Sequence, residues 1–229
     1  MSYKIHFIRH GLTAGNLEGR YIGVTDLPLC PEGIGEIRSL MEADTYPQAQ
    51  KVYTSPLQRC VQTAGIIYPG SLLQVVEQLA EMDFGEYESM RPQDLKDDPE
   101  HRRWMLGQGD DPENYAPHGG EALSDFVNRI TRGIDQVVRD MMENRIQEAA
   151  VITHGALIAQ LLAQFGYPKM PVGGWLIQPG QGVTVLIQGA LWARDRVMEA
   201  YDLIPAASPQ AIMDEEAYLD YAESLMDEE

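Results

Sequence analysis

Two short apolar runs in this chain stop in the same way. HFIRHG ends at His10-Gly11 and VITHG ends at His154-Gly155. Apolar runs of this length, rich in β-branched residues and closed by glycine, read as buried strands. Strands that alternate with helices form a mainly parallel sheet, and ligands of such sheets bind outside the edge where the strands end. If the two runs are neighbours, His10 and His154 face one crevice. Either histidine alone is better explained as a buried structural residue; the repeat of the context points to a site.

The rest of the chain supplies the alternation. PEGIGEIRSLMEA (31–43) sets Ile34, Ile37, Leu40 and Met41 at helical spacing. KVYT (51–54) is a short strand, and the following SPLQRCVQTAGIIY predicts a helix with Ser55 as N-cap and Pro56 in its first position, which puts Arg59 in the first turn. LLQVVEQL (72–79) reads as a strand, whereas 83–119 is rich in Pro, Gly and Asp and predicts short helices and loops, a candidate lid over the site. From Glu121 to Ile146, the positions Leu123, Phe126, Val127, Ile130, Ile134, Val137, Val138 and Met141 trace one face of a long helix. AAVIT (149–153) is a buried strand and ALIAQLLAQFG a helix that ends at Gly166. GVTVLIQGALWARDRVMEAYDL (182–203) alternates in two runs about a glycine, the pattern of an antiparallel hairpin. The expected architecture is α/β, a three-layer α/β/α sandwich with a mainly parallel sheet and an antiparallel edge hairpin, forming one catalytic domain over 1–204. Residues 205–229 hold many acids and neither Lys nor Arg; Tyr218, Tyr221, Ala222 and Leu225 favour a docked helix over a loose acidic tail, with no catalytic role.

A formal charge of -18 excludes a nucleic-acid or anionic-membrane surface, because those partners require a positive footprint. An anionic ligand must then find a local positive pocket. Arg9 beside His10, and Arg59 reaching back from its helix, would make one with His154, and guanidinium forks match phosphate oxygens. MSYKIHFI is too short an apolar run for a signal peptide and no stretch approaches the ~20 apolar residues of a membrane span, so a cytoplasmic protein is expected. The two cysteines, Cys30 and Cys60, are read as free thiols.

With these segments in order, the chain resembles the histidine phosphatase superfamily, also called the phosphoglycerate mutase-like family, over roughly residues 3–200. The resemblance rests on RHGLTAGN (9–16), GVTDLPLCPEG (23–33), TSPLQRCVQTA (54–64), LAEMDFGEYES (79–89), HGGEAL (118–123) and VITHG (151–155). It implies that His10 is the nucleophile and becomes a phosphohistidine, while Arg9, Arg59 and His154 bind the equatorial oxygens. It implies further that Asn16 and the backbone at Gly11 and Gly155 help to hold the anion, and that no metal or cofactor is used. A neutral ring nitrogen suits the attack near the ordinary histidine pKa of ~6.5, and the neighbouring arginines should favour that form. Glu81 matches the position of the acid that protonates the leaving oxygen and later draws a proton from water. Repulsion from Asp83, Glu86 and Glu88 is expected to keep it protonated. Three residues depart from the family pattern: Ile22 stands where many relatives have a hydroxyl or amide, Cys30 where a threonine is common, and Ala122 where a serine is.

Other chemistries fit less well. A cysteine phosphatase needs Cys-x5-Arg, but Glu36 and Ile66 stand six positions after the two cysteines. Neither Gly-x-Ser-x-Gly nor Gly-x4-Gly-Lys-Ser/Thr occurs. A metal site from His6, His10, His101, His118 and His154 lacks compact spacing, and His101 and His118 read as surface or substrate-rim residues. Within the family a mutase would return the phosphoryl group to a second oxygen, but the segment between Glu81 and His154 looks short for one. Arg102 and Arg103 there could meet a carboxylate, though solvated surface is the plainer reading. A silent phospho-ligand-binding module is a third reading, against which stands the complete set of five residues. The expectation is a metal-independent phosphomonoesterase acting on a small phosphorylated metabolite, in the branch of α-ribazole and broad-specificity phosphatases. A homodimer is compatible with the chain, and the sequence does not set the oligomeric state.

Overall fold

The computed structural model describes residues 2–43, 46–107 and 111–205. Chain order is β1 (Ser2–Arg9), α1 (Ala14–Leu17), α2 (Pro31–Ala43), β2 (Lys51–Thr54), α3 (Gln58–Ile67), β3 (Leu73–Val75), α4 (Pro99–Met105), α5 (Leu123–Glu143), β4 (Glu148–Thr153), α6 (Gly155–Phe165), β5 (Gly166–Tyr167), β6 (Gly182–Gln188), α7 (Gly189–Asp195) and β7 (Met198–Ile204). The strands form one sheet in the order β3-β2-β4-β1-β6-β7-β5. From β3 to β1 the pairing is parallel; β6 runs antiparallel to both β1 and β7, and β5 parallel to β7.

Alternation along the central strands decides what each face packs against. Ile5, Phe7, Ala149 and Val151 point to one side, where they meet Phe126, Ile130, Ile134 and Val137 of α5 and Leu157, Ile158 and Leu161 of α6. Ile8, Val52, Ala150 and Ile152 point to the other, against Ile37 of α2 and Cys60 and Ala64 of α3. Strands buried on both faces need two helical layers, so the three-layer sandwich follows from the apolar runs. The long helix buries the face its spacing predicts, over slightly less than 121–146.

Three local expectations shift. Helix α3 starts at Gln58 with Leu57 as N-cap, not at Ser55-Pro56. Ser55 instead prolongs the ladder of β2, its N–H donating to the Ile152 carbonyl at 3.0 Å. Strand β3 is only three residues long and passes into a 3-10 turn over Glu77–Leu79. There Arg129 of α5 takes the carbonyls of Gln78, Ala80 and Glu81, which turns that backbone away from the sheet. The antiparallel pair at 182–203 is joined not by a tight turn but by α7, whose Trp192 is buried, packs on Phe165 and donates Nε1–H to Asp135 at 3.0 Å. The acidic helix expected over 205–229 lies, from residue 206 on, outside the described residues.

Two of the family departures fall on helix N-termini. Ala122 is the N-cap of α5 and has no side-chain oxygen for the free N–H groups of the first turn. Cys30, just before α2, accepts the Gly33 N–H through sulfur at 3.4 Å, a weak acceptor in that position. An N-cap hydroxyl is worth roughly 0.5–2 kcal/mol over alanine. Ala122→Ser is therefore expected to raise the melting temperature by roughly 2–4 °C, with Cys30→Thr in the same direction, by differential scanning calorimetry. An unchanged or lower melting temperature for Ala122→Ser would contradict this account of the cap.

Candidate active site

Because β2, β4 and β1 lie side by side, their C-terminal ends deliver Ser55, His154 and His10 to one edge. The His10 N–H donates to the Thr153 carbonyl at 2.9 Å, so β1 and β4 end in register. The rings of His10 and His154 stand edge to face with centroids 5.2 Å apart, and both side chains are buried.

The tautomer of His10 follows from the hydrogen bond its ring makes to the backbone. Nδ1 lies 2.7 Å from the Gly11 carbonyl, which can only accept, so Nδ1 carries the proton and Nε2 the lone pair. The turn that makes this contact is tight: a Cβ on Gly11 would meet Ile37 Cδ1 at 2.5 Å. Thr63 of α3 accepts the Gly11 N–H at 3.0 Å. Burial first, then Arg59 and Arg9, hold the imidazole well below its ordinary pKa, so it is neutral at pH 7.

Arg59 is fully buried. It donates to the carbonyls of Thr25 at 2.9 Å and Gly23 at 2.6 Å, and its Nε has no hydrogen-bond partner among the described residues. The 23–25 turn that receives it is built around Glu88, whose carboxylate accepts the N–H groups of Gly23, Val24, Thr25 and Phe84 and the Thr25 hydroxyl. Arg9 donates to the Ile177 carbonyl at 2.7 Å and lies across the start of α6, where a Cβ on Gly155 would come within 3.0 Å of its Nε. Gly155 thus admits the guanidinium of Arg9 to the pocket. Asn16 forms a capping box with Thr13, its Oδ1 accepting the Thr13 N–H and hydroxyl, which leaves its NH2 group for an anion. Ile22 is turned away, buried against Gly15.

Glu81 is 5% exposed and accepts the Met82 N–H at 3.0 Å. Its pKa is raised, and burial is the cause; the Met82 N–H, Arg59 and Arg9 pull the other way. Burial, not repulsion from its acidic neighbours, raises it; those carboxylates bind backbone instead, Asp83 accepting the Gly85 N–H, Glu86 the His118 N–H, and Glu88 the 23–25 turn. Arg129, paired in a two-pronged bridge with Glu121, fixes the backbone that carries Glu81.

The candidate lid is anchored by rings. Tyr21, Phe84, Tyr87, His101 and Trp104 pack with centroids 5.1–6.0 Å apart, and the Tyr21 hydroxyl meets His101 Nε2 at 2.9 Å. His101 is therefore a core residue of this segment and not a rim residue. His118, Arg102 and Arg103 are exposed, and Arg103 lies over the Tyr115 ring. Both cysteines are free and buried.

A model of the histidine phosphatase superfamily (branch 1) matches residues 5–187. The chain belongs to the histidine phosphatase superfamily. This histidine phosphatase is 25% identical over 214 residues to the adenosylcobalamin/alpha-ribazole phosphatase of Salmonella typhimurium, covering 91% of this chain and 98% of that protein. It is 28% identical over 155 residues to phosphoserine phosphatase 1 of Hydrogenobacter thermophilus, covering 66% and 70%. In fold it is similar to the alpha-ribazole phosphatase of Shigella flexneri, with a TM-score of 0.72 at 21% identity over 91% of this chain and 99% of that one. The phosphoglycerate mutase structure of Thermus thermophilus is a further relative, with a TM-score of 0.58 at 28% identity over 85% and 95%. Family and named relatives together make it an enzyme that acts as a phosphatase. Among the described residues no helix is long and apolar enough to cross a membrane.

The buried histidines of this histidine phosphatase link its stability to pH. His10, His154, His6 and His101 all have lowered pKa values, with burial the largest cause in each. Below the unfolded pKa of ~6.5 the unfolded chain binds protons that the folded one refuses, so stability is complete above that pH and falls as pH drops. The slope reaches at most about 1.4 kcal/mol per pH unit for each histidine kept neutral. Thermal unfolding between pH 7.5 and 5.5 should show this loss, and a His10→Asn variant should show a shallower one. Equal slopes for the two proteins would exclude His10 from the linkage.

Proposed function

We propose that this histidine phosphatase hydrolyses the phosphomonoester of a small metabolite, without a metal ion, through a phosphohistidine on Nε2 of His10. The observation that carries the reading is the pairing of that free lone pair with a buried Arg59 that forms no ion pair among the described residues. Nε2 attacks phosphorus as the ester P–O bond breaks, and Glu81 gives its proton to the departing oxygen. Arg9, Arg59, His154 and Asn16 bind the equatorial oxygens, where the transition-state charge is spread. Glu81, now a carboxylate, takes a proton from water, whose oxygen attacks phosphorus and releases orthophosphate and free His10. The relatives named for alpha-ribazole and phosphoserine phosphatase activity support a small phosphomonoester as substrate.

Phosphate release from p-nitrophenyl phosphate with chelator present, combined with acid-labile radiolabel in rapidly quenched samples, tests this reading. Release without label, or release abolished by the chelator, would overturn it. Conversion of 3-phosphoglycerate to its isomer without net phosphate release would favour a mutase instead. Glu81→Gln is expected to slow hydrolysis of alkyl phosphates by about 10²–10⁴-fold, and p-nitrophenyl phosphate less, because its leaving group needs no proton. Since Glu81 must start protonated and its pKa is raised, wild-type activity should fall as pH rises through that pKa. The variant should lack this limb of the pH profile; if it keeps the limb, another group supplies the proton.

A further inference from the structure

Ser55 is expected from sequence to cap a helix, but it sits where its hydroxyl meets a ring of the site. It is fully buried at the end of β2, its own N–H fixed to the Ile152 carbonyl. Its Oγ lies 2.8 Å from His154 Nε2 and accepts the Leu57 N–H at 3.3 Å. We infer that Ser55 is a positioning residue for His154: its hydroxyl donates to Nε2 and holds the imidazole as the Nδ1–H tautomer, so that the proton offered to a bound phosphoryl group sits on Nδ1.

The argument is one of donors and acceptors. Burial, then His10, Arg59 and Arg9, keep His154 neutral, so its ring carries a single proton. If that proton were on Nε2, Ser55 Oγ would accept from both Nε2 and Leu57. Its own buried O–H would then be left, among the described residues, with only the Cys60 sulfur, a weak acceptor. With the proton on Nδ1, the Ser55 O–H donates to Nε2 and the Nδ1–H is left for the anion, with, among the described residues, only the Cys60 sulfur beside it at 3.8 Å. Cys60 competes only weakly, because sulfur is a poor hydrogen-bond partner. Its thiol is held protonated by burial, its sulfur is 3.5 Å from Nε2, and its S–H points to the Thr153 carbonyl at 3.6 Å. A ring with a lone pair turned to an anion would repel it, whereas Nδ1–H donates. The tautomer therefore decides whether His154 stabilises the transition state or opposes it.

This inference rests on the reading of His154 as a phosphoryl ligand, yet its primary test is separate from turnover. Long-range ¹H–¹⁵N spectra of ring-labelled protein at pH 7.5, with His154 assigned by a His154→Asn variant, report which nitrogen is protonated. The expected result is protonated Nδ1 and bare Nε2 in the wild type, and a shifted or mixed tautomer in Ser55→Ala. That variant should lose about 10–100-fold in kcat on p-nitrophenyl phosphate, the usual scale for an outer partner that orients a ligand, with a smaller change in KM. Ser55→Thr, which restores a hydroxyl, should recover the Nδ1–H signal and most of the turnover. A wild-type spectrum with protonated Nε2 overturns the inference whether or not Ser55→Ala folds, as does a Ser55→Ala enzyme with wild-type kcat. Either result leaves the phosphohistidine reading intact, because that reading fails only in the quench and His10 experiments.

Discussion

His10→Ala should lower kcat by at least about 10⁴-fold, the scale seen when a covalent nucleophile is removed, and should abolish acid-labile phosphoryl label on the protein. The size of the effect follows from the lack of a substitute. Cys60 is near, but burial pushes its thiol far above its usual pKa, so no thiolate is present to attack. His154 is near too, but its Nε2 is bound to Ser55. Burial raises the Glu81 pKa, which favours the protonated form, a poor nucleophile. Loss of the Nδ1 contact to the Gly11 carbonyl should cost only about 1 kcal/mol of stability, so calorimetry should find a folded protein. Because the ring of His10 leaves a space beside two arginines, added imidazole should restore measurable hydrolysis of p-nitrophenyl phosphate without labelling the chain. Turnover within tenfold of wild type would remove His10 from the reaction.

What the sequence makes legible here is what depends on pattern along the chain. The strand ends at His10 and His154 are readable because an apolar run that stops at His-Gly fixes both the strand and its last residue. The parallel register then brings the two together without further information. The helical layers are equally readable, because the apolar stripes of α5 and α6 allow only one face to be buried. Contacts across the chain are not readable in this way. Glu88 looks like one acid among several, and nothing in its spacing tells that it gathers four backbone N–H groups from residues 23–25 and 84. Its charge is therefore assigned to repulsion of Glu81, when burial does that work. Ser55 before proline is a good helix-start signal, and the signal misleads because the end of β2 needs its N–H for the ladder and His154 needs its hydroxyl. Arg129 and Glu121 lie on one face of α5 and its approach, but that they brace the backbone of Glu81 depends on a packing angle no periodicity encodes.

Arg59→Met should abolish the stabilisation that phosphate gives the protein and lower kcat/KM by roughly 10³-fold, the upper end for loss of one preorganised charge stabiliser. The reason is the setting of the Arg59 guanidinium. Among the described residues none of the ion pairs includes it. Its donors meet two carbonyls, and its Nε has no hydrogen-bond partner among those residues. Burial lowers its pKa, which is the signature of a charge held against its own solvation. Asp26 and Glu88 act on it only from a distance, and phosphate supplies a counter-charge in direct contact, so binding relieves a cost that folding incurred. At a concentration 100 times its Kd, orthophosphate should stabilise the wild type by about 2.7 kcal/mol, which for a chain of this size is roughly 5–10 °C. In Arg59→Met the carbonyls of Gly23 and Thr25 lose their donors while the unpaired charge disappears. These effects oppose each other, so the phosphate-free melting temperature should move less than the phosphate shift that is lost. Scanning calorimetry of both proteins over a phosphate series separates the two quantities. A variant that still gained the wild-type shift would show that the anion is held by Arg9 and His154 without Arg59, and that the buried guanidinium serves the 23–25 turn alone.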